Sequence, residues 1–369
     1  MKSGPALDNL TAAIVESCRS GLPPERLRES VLSRLQRAVP FDAAFWATID
    51  PATLLFTQPH QHEIPAETAP YFIQNEYVDE DVNRWTTLAR DRAGVRSLAE
   101  ATGGELERSP RFRDIFQPLG LGDELRAVFR VGGISWGCMC LHREAGSAFS
   151  KEEADYVRGL APHIAEGIRA GLLVSSLELP QIADAPGLVM LARDGSITSA
   201  TDTGRQWLEE LGYLEARQTS APPGLQMLAA LVDRPGEAEP ELPRLRMRTP
   251  AGRWVVLHGS RLPTEGGDAV AVIIEEASSA DLAPILMMAY GLTDQERVVT
   301  SLVCQGLSTR EIAGTLHITA HTVQDHLKSI FEKTGVRSRR ELSASLLQQQ
   351  YVPRTMAQVP IGPSGFFVE

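Results

Sequence analysis

The stretch LTDQERVVTSLVCQGLSTREIAGTLHITAHTVQDHLKSIFEKTGVRSRRELSASL, residues 292–346, places a helix-start signal before each of its apolar periodic runs. Thr293 stands three residues before Glu296, and Ser308 three before Glu311. Each pair is a capping box, in which the hydroxyl accepts from the backbone N–H three positions on and the acid reaches back to the cap. Thr319 and Ser338 are the N-caps of two further helices, Ala320 to about Thr334 and Arg339 to Leu347. Gly306 and Gly335 end the first and third helices, because glycine takes the left-handed C-terminal conformation without a Cβ penalty. Helical spacing assigns the buried sides to Val298, Val299, Leu302 and Val303, then Ile312, Ala313 and Leu316, then Val323, Leu327, Ile330, Phe331 and Thr334. Residues 292–347 therefore read as an all-α, four-helix helix-turn-helix unit.

The third helix shows what its free side is suited to do. His321, Gln324, Asp325, Lys328 and Glu332 lie opposite the apolar stripe. A helix that enters the major groove needs such polar side chains to meet base edges. Gln324 can pair with adenine, Asp325 can accept from cytosine, and Lys328 can reach guanine or a phosphate. His326, Lys333 and Arg337 flank this face and suit the phosphate backbone. Ser308, Thr309, Thr319 and Thr322, at the helix starts, complete the expected DNA-contact set.

Over its full length this stretch strongly resembles the LuxR-type DNA-binding domain. The resemblance implies a homodimer on double-stranded DNA, bound to an inverted repeat, with the fourth helix contributing to the dimer contact. One departure matters: the family often has a basic residue where this chain has Gln324, and Asp325 adds a negative charge to the same face. Both weaken the non-specific electrostatic attraction, so affinity rests more on base contacts.

The rest of the chain differs in charge. The net charge is -11, and residues 292–347 hold seven Lys/Arg against six Asp/Glu, so the remainder carries -12. Such a surface suits neutral or basic partners rather than nucleic acid. Hydrophobic residues at 43% and charged residues at 22% describe a folded chain with real cores, and 369 residues suit two or three domains. No apolar run approaches the ~20 residues that span a bilayer. Gly4-Pro5 and Asp8 follow a single lysine with no apolar signal segment, so the expected location is cytoplasmic, with no membrane partner. Four cysteines make no disulfide framework.

Residues 1–175 alternate helix and strand signals. A helix carries Leu27, Val31, Leu35 and Val39 up to Pro40; strands follow at Ala43–Ile49 and Thr53–Thr57. Ala127–Val131 and Ser135–His142 form a hairpin about Gly132-Gly133. Ser150 and Glu153 cap a long helix striped by Val157, Leu160, Ile164, Ile168 and Leu172, with a kink expected at Pro162. The result is an α+β domain. PFDAAFWATIDPATLLF and GCMCLHREAGSAFSKEEADYVRGLAPHIAEGIR resemble the GAF domain, a small-molecule-sensing module. NEYVDEDVNRW, ATGGELERSPRFRDIFQPLGLGDELR and GGISWG look like actinobacterial regulators that join such a sensor to a LuxR-type domain. Residues 180–277 hold an apolar strand, an Asp194-Gly195 turn and a short second strand within APGLVMLARDGSITSAT (185–201). Further strand candidates at Leu245–Thr249, Arg253–Gly259 and Ala269–Glu275 are separated by Pro250-Ala-Gly252 and Gly266-Gly267 turns. With a helix at Thr203–Leu211 and a loose loop expected over Gly224–Arg244, the pattern is similar to a PAS-like α+β domain or to a plain α/β spacer. A linker helix spans 281–291, and an irregular tail rich in Gly and Pro occupies 350–369.

Enzyme chemistry finds no support. Gly133-Ile-Ser135-Trp-Gly137 matches a hydrolase nucleophile pattern, but its serine opens a strand after a glycine turn instead of joining a strand to a helix. Trp136, Cys138, Cys140 and His142 alternate onto one strand face, a row that could meet a metal or haem; neighbours on one strand seldom converge on one ion, so buried packing is preferred. There is no nucleotide loop and no metal motif. Phe45, Trp46, Trp85, Phe112, Phe116, Phe129, Trp136 and Cys138 are the candidates for lining an apolar pocket that takes a small hydrophobic ligand. Each also suits an ordinary core.

Overall fold

The computed structural model describes residues 4–175, 185–192, 195–213, 221–232, 243–264 and 267–347. The tail expected at 350–369 lies outside them, as do Asp194 and Gly266 of two expected turns. The described chain divides into two units, one holding two β-sheets and the other the C-terminal helices.

The first sheet comprises β1 (Ala43–Ile49), β2 (Phe56–His62), β3 (Val95–Ser97), β4 (Leu121–Val131) and β5 (Ile134–Glu144), in the order β2-β1-β5-β4-β3. The hairpin β4–β5 turns at Gly132-Gly133, both at positive φ, where only glycine is unstrained. Strand β2 starts three residues later than the sequence suggests, because Leu54 takes a left-handed turn; Pro59 sits within it, tolerated on an edge strand. Helices α1 (Pro5–Arg19) and α2 (Pro24–Ala38) come before the sheet, and α6 (Lys151–Ser175) follows it, started by the Ser150/Glu153 capping box. Its Gly167 lies against Leu27 and Cys18, and its Ile168 reaches Gly137 beside Phe129, so α1, α2 and α6 cover that sheet face. The opposite face is covered by α3 (Ala69–Tyr77), α4 (Trp85–Leu88), α5 (Leu98–Thr102) and a π-helical turn at Phe112–Phe116, which lend Phe72, Tyr77, Trp85, Leu98, Phe112 and Phe116 to its core.

The second sheet has β6 (Gly187–Leu191), β7 (Ile197–Ala200), β8 (Arg244–Arg248), β9 (Trp254–Thr264) and β10 (Gly267–Glu276), ordered β7-β6-β10-β9-β8. Each sheet thus runs second, first, fifth, fourth, third among its own strands. Helix α7 (Asp202–Glu210) seats closely on β6, where a Cβ on Gly187 would fall 2.6 Å from the Gly204 backbone. Helix α8 (Pro223–Val232) falls where the sequence suggested a loose loop. Its Leu225, Met227 and Leu228 are buried under the sheet, so Gly224 to Val232 is a packed helix and not a loose loop, while 233–242 of that expected loop lie outside the described residues.

The two sheet domains belong to one compact unit, with α3 against α8 and β2 against β8. Arg246 Nη1 donates to Asp50 Oδ2 at 2.5 Å across this junction, and the Asp50 side chain is only 1% exposed. Asp50 Oδ1 also accepts from the Ala52 backbone, tightening the β1–β2 turn. Asp50→Ala removes both contacts and leaves a guanidinium largely buried without its partner. It is expected to lower stability by about 3 kcal/mol, read as a drop in the urea midpoint at unchanged slope.

The second unit contains α9 (Ser279–Ala289), α10 (Asp294–Cys304), α11 (Thr309–Leu316), α12 (Ala320–Thr334) and α13 (Arg339–Leu347). Ile285, Leu292, Val299, Ile312, Val323, Leu327, Ile330 and Leu342 form its core. Capping boxes are present at Ser278/Asp281, Thr293/Glu296 and Ser308/Glu311. Val298, placed on the buried side by its spacing, is 43% exposed; the helix turns Val299 and Val303 inward instead. Among the described residues no helix is long and apolar enough to cross a membrane.

Candidate functional site

Helix α12 follows α11 through His317, Ile318 and Thr319. His317 is held at φ +55, the left-handed conformation that reverses the chain in this short turn. Thr319 then caps α12 by accepting from Thr322 N. His321, Gln324, Asp325, Lys328 and Glu332 are exposed on one side, while Val323, Leu327 and Ile330 are buried on the other. Thr322 and His326 are half-buried at its margins, and Arg337 is exposed just beyond Gly335. A groove of about 640 Å³ runs along this face, lined among others by Thr309, Gln324, Lys328, Glu332 and Arg337.

Polar anchors tie the helices of the domain together, two of them on the reading helix. Lys333 Nζ donates to Glu296 Oε2 at 2.6 Å, and Ser329 Oγ to Glu296 Oε1 at 2.6 Å, which fastens α12 to α10. Arg339 donates to Leu307 O and to Thr309 Oγ1, both at 2.7 Å, which ties α13 to the start of α11. Lys333, expected at the phosphate backbone, is thus engaged within the domain. Burial alone would raise the Glu296 carboxyl, but the hydrogen bonds from Lys333, Ser329 and Thr293 outweigh it and hold it down to about 2. A carboxyl lowered from an ordinary value of about 4.3 stabilises the fold above that pH. That contribution is lost as pH falls through the folded value of about 2. Glu296→Gln is therefore expected to destabilise the helix-turn-helix by about 2 kcal/mol at neutral pH. In thermal melts the wild type should shed this increment between about pH 4 and pH 2 while the variant does not.

The residues expected to line a ligand pocket divide between the two faces of the first sheet. Phe45, Trp85, Phe112, Phe116 and Cys138 meet in one buried cluster with Phe56, Phe72 and Tyr77. Trp46 and Phe129 pack together on the other face, ring centroids 4.6 Å apart, and belong to the layer under α6. Trp136 is the extra residue of a β-bulge opposite Phe129/Arg130 and is not part of the aromatic cluster.

Sequence reading missed the polar centre of that cluster. Arg111 and Arg126 are buried with Glu76, Asp81 and Glu124, whose side chains are 0% exposed in their ion pairs. Arg111 Nη2 donates to Glu124 Oε2 at 2.7 Å and its Nη1 to Asp81 Oδ2 and Asn75 Oδ1, each at 3.1 Å. Arg126 Nε donates to Glu124 Oε1 at 2.9 Å and its Nη1 to Glu76 Oε2 at 2.6 Å, and its guanidinium lies 4.3 Å over the Trp85 ring. Burial would raise the Glu124 carboxyl, yet Arg111 and Arg126 hold it down to about 2. Burial pushes the Glu76 carboxyl up and the His142 imidazole down to about 4. Tyr77 Oη, Trp85 Nε1, Arg126 Nη2 and both ring nitrogens of His142 are buried with no hydrogen-bond partner. Such groups are uncommon and ask for an explanation. The signal available in the sequence was Glu124 and Arg126 two apart just ahead of the apolar run from Ala127, a spacing that puts both on one face of a strand extended backwards.

A capped four-helix unit with an exposed polar face on its third helix defines a helix-turn-helix DNA-binding protein. The GerE family profile, bacterial regulatory proteins of the luxR family, matches residues 291–345. The spore germination protein GerE of Bacillus subtilis (strain 168) is 39% identical over 57 residues, 15% of this chain and 77% of that protein. The nitrate/nitrite response regulator NarP of Escherichia coli (strain K12) is 39% identical over 59 residues, 16% of this chain and 27% of its own length. The chain belongs to the luxR family of bacterial regulatory proteins. Regulators of this family are DNA-binding and non-catalytic. Among solved structures, the GAF domain of a phosphoenolpyruvate-protein phosphotransferase from Coxiella burnetii is similar at TM-score 0.36 and 16% identity, covering 47% of this chain and 100% of that one. Escherichia coli SdiA is similar at TM-score 0.33 and 10% identity, over 92% and 96%. Scores this low carry no argument about function.

Proposed function

We propose that this DNA-binding regulator acts in the cytoplasm as a homodimer on an inverted repeat, controlled by a small molecule held on the aromatic face of the first sheet. The observation that carries the DNA reading is the exposed row His321, Gln324, Asp325 and Lys328 on a helix capped by Thr319 and fastened to its neighbour through Ser329 and Lys333. These side chains meet base edges, and the helix starts at Ser308–Thr309 and Thr319–Thr322 offer backbone N–H groups to phosphates. His326 and Arg337 flank them. The first domain, 1–175, is GAF-like and the second, 180–277, PAS-like, a reading supported by their shared strand order. Residues 281–291 link them to the reading domain at 292–347. Incubation of the purified protein with DNA from its own promoter region should give a sequence-selective, salt-dependent mobility shift. A shift equal on unrelated DNA at every salt concentration would refute the reading.

A second reading has its own observation: the sheet domains dock a protein partner and take no small molecule. Leu188 and Ile273 are paired across β6 and β10 and are 37% and 44% exposed, an apolar pair facing outward on the second sheet. Native mass spectrometry of protein from its own host separates the two, since a bound small molecule adds discrete mass to each chain.

A further inference from the structure

Strands β4 and β5 bring three different donor types to one buried point. Glu124 pairs with His142 across the strands, and Cys140 lies two residues from His142 on the same face. A Glu124 carboxylate oxygen, the Cys140 sulfur and a His142 ring nitrogen lie within 4.8 Å of one another, all fully buried. We propose that Glu124, Cys140 and His142 form a binding site for a divalent transition-metal cation of the zinc type.

His142 supplies the independent observation. Its side chain is 0% exposed and neither ring nitrogen has a hydrogen-bond partner. A buried imidazole left so carries its full desolvation penalty with no bond to offset it. The ring stands 4.4 Å from the Phe116 ring, a wall that fixes its plane and keeps water away. A metal ion accepts a lone pair from the nitrogen turned toward Cys140 and Glu124, which gives the ring the partner the protein does not provide.

The donor set selects the ion. Thiolate, imidazole and carboxylate together suit zinc and its neighbours, not calcium or magnesium, which take oxygen ligands. The present spread closes onto an ion at about 2.0–2.3 Å from each donor with modest side-chain shifts. Three protein ligands leave a fourth position for a small exogenous group.

The two arginines beside the site do not turn it into an anion site. The network sets two guanidiniums, Arg111 and Arg126, against three carboxylates, Glu76, Asp81 and Glu124, so negative charge exceeds positive at the centre of the domain. Glu124 Oε1 accepts only from Arg126 Nε, which leaves a lone pair for an ion, and Arg111 orients the carboxylate through Oε2. Ligand carboxylates held by outer hydrogen bonds in this way are the usual arrangement at metal sites. Binding converts the Cys140 thiol to a thiolate and releases its proton to solvent.

Co2+ added to the full-length, metal-free protein under reducing, anaerobic conditions tests the proposal. One ion per chain with thiolate-to-cobalt charge-transfer absorption is expected, and equimolar Zn2+ should abolish the band. Cys140→Ser should lose the band, and His142→Gln should weaken binding at least ~10-fold. Cys138→Ser, on the same face but outside the set, should keep it. No band in the wild type, a band that survives Cys140→Ser, or one lost only with Cys138→Ser overturns the site. Should Cys140→Ser fail to fold, X-ray absorption of the zinc-loaded wild type decides. One sulfur at about 2.3 Å with nitrogen or oxygen at about 2.0 Å supports the site, and a shell without sulfur refutes it.

Discussion

Replacing Arg111 by methionine is expected to remove about 3–5 kcal/mol of stability, the largest single-residue loss anticipated in this protein. The guanidinium is the junction of the buried network: it meets Glu124, Asp81 and Asn75 side chains and the Val82 carbonyl. Methionine fills much of the volume but strands two carboxylates without water. Asp81 keeps hydrogen bonds from Asn75, Ser109 and the Arg111 backbone, so the heavier loss falls on Glu124, left to Arg126. The double variant Arg111→Met, Glu124→Leu should recover part of the loss, because it removes an uncompensated charge rather than creating one. Urea unfolding of the two variants and the wild type measures both effects. A cost below about 1 kcal/mol for the single variant would mean that solvent reaches the network.

The second large effect concerns DNA. Gln324→Ala should weaken binding to the cognate site by about 5–150-fold and relax the preference at one base pair, since a bidentate contact contributes about 1–3 kcal/mol of discrimination. Lys328→Ala should weaken all sequences and, if it meets a phosphate, reduce the slope of log K against log salt by about 1. Asp325 should act the opposite way on background affinity. Asp325→Asn removes a negative charge from the exposed face and is expected to raise binding to unrelated DNA. Titrations at several salt concentrations, on cognate and scrambled fragments, separate the three.

The helix-turn-helix was legible because its determinants are local. Thr293, Ser308 and Thr319 announce their helices within three residues, and the polar row on α12 follows from spacing alone. The buried polar centre was not legible, because its members are distant in sequence. Arg111 comes from the turn after α5, Asp81 from the loop after α3, and Glu124 from a strand whose apolar signal begins only at Ala127. Nor did sequence show which aromatics share a face. Phe45 and Trp46 are neighbours in the chain, and the pleat of β1 sends one to the cluster under α3 and the other to the layer under α6. Cys140 and His142 were read along one strand, where two donors do not make a site; Glu124 enters only through the register of the adjacent strand. Lys333 looked free because Glu296, its partner, lies a helix away.

The ion pair between Asp50 and Arg246 and the contact of α3 with α8 give the two sheets a common interior. Two layers joined in this way are expected to melt as one cooperative body, with coincident calorimetric and van't Hoff enthalpies for the pair. Under the proposed ligand control, rigidity would then be the means of communication. A guest that firmed up the aromatic face of the first sheet would lower the conformational entropy of the second without moving it, and the free energy of that stiffening would be shared across both.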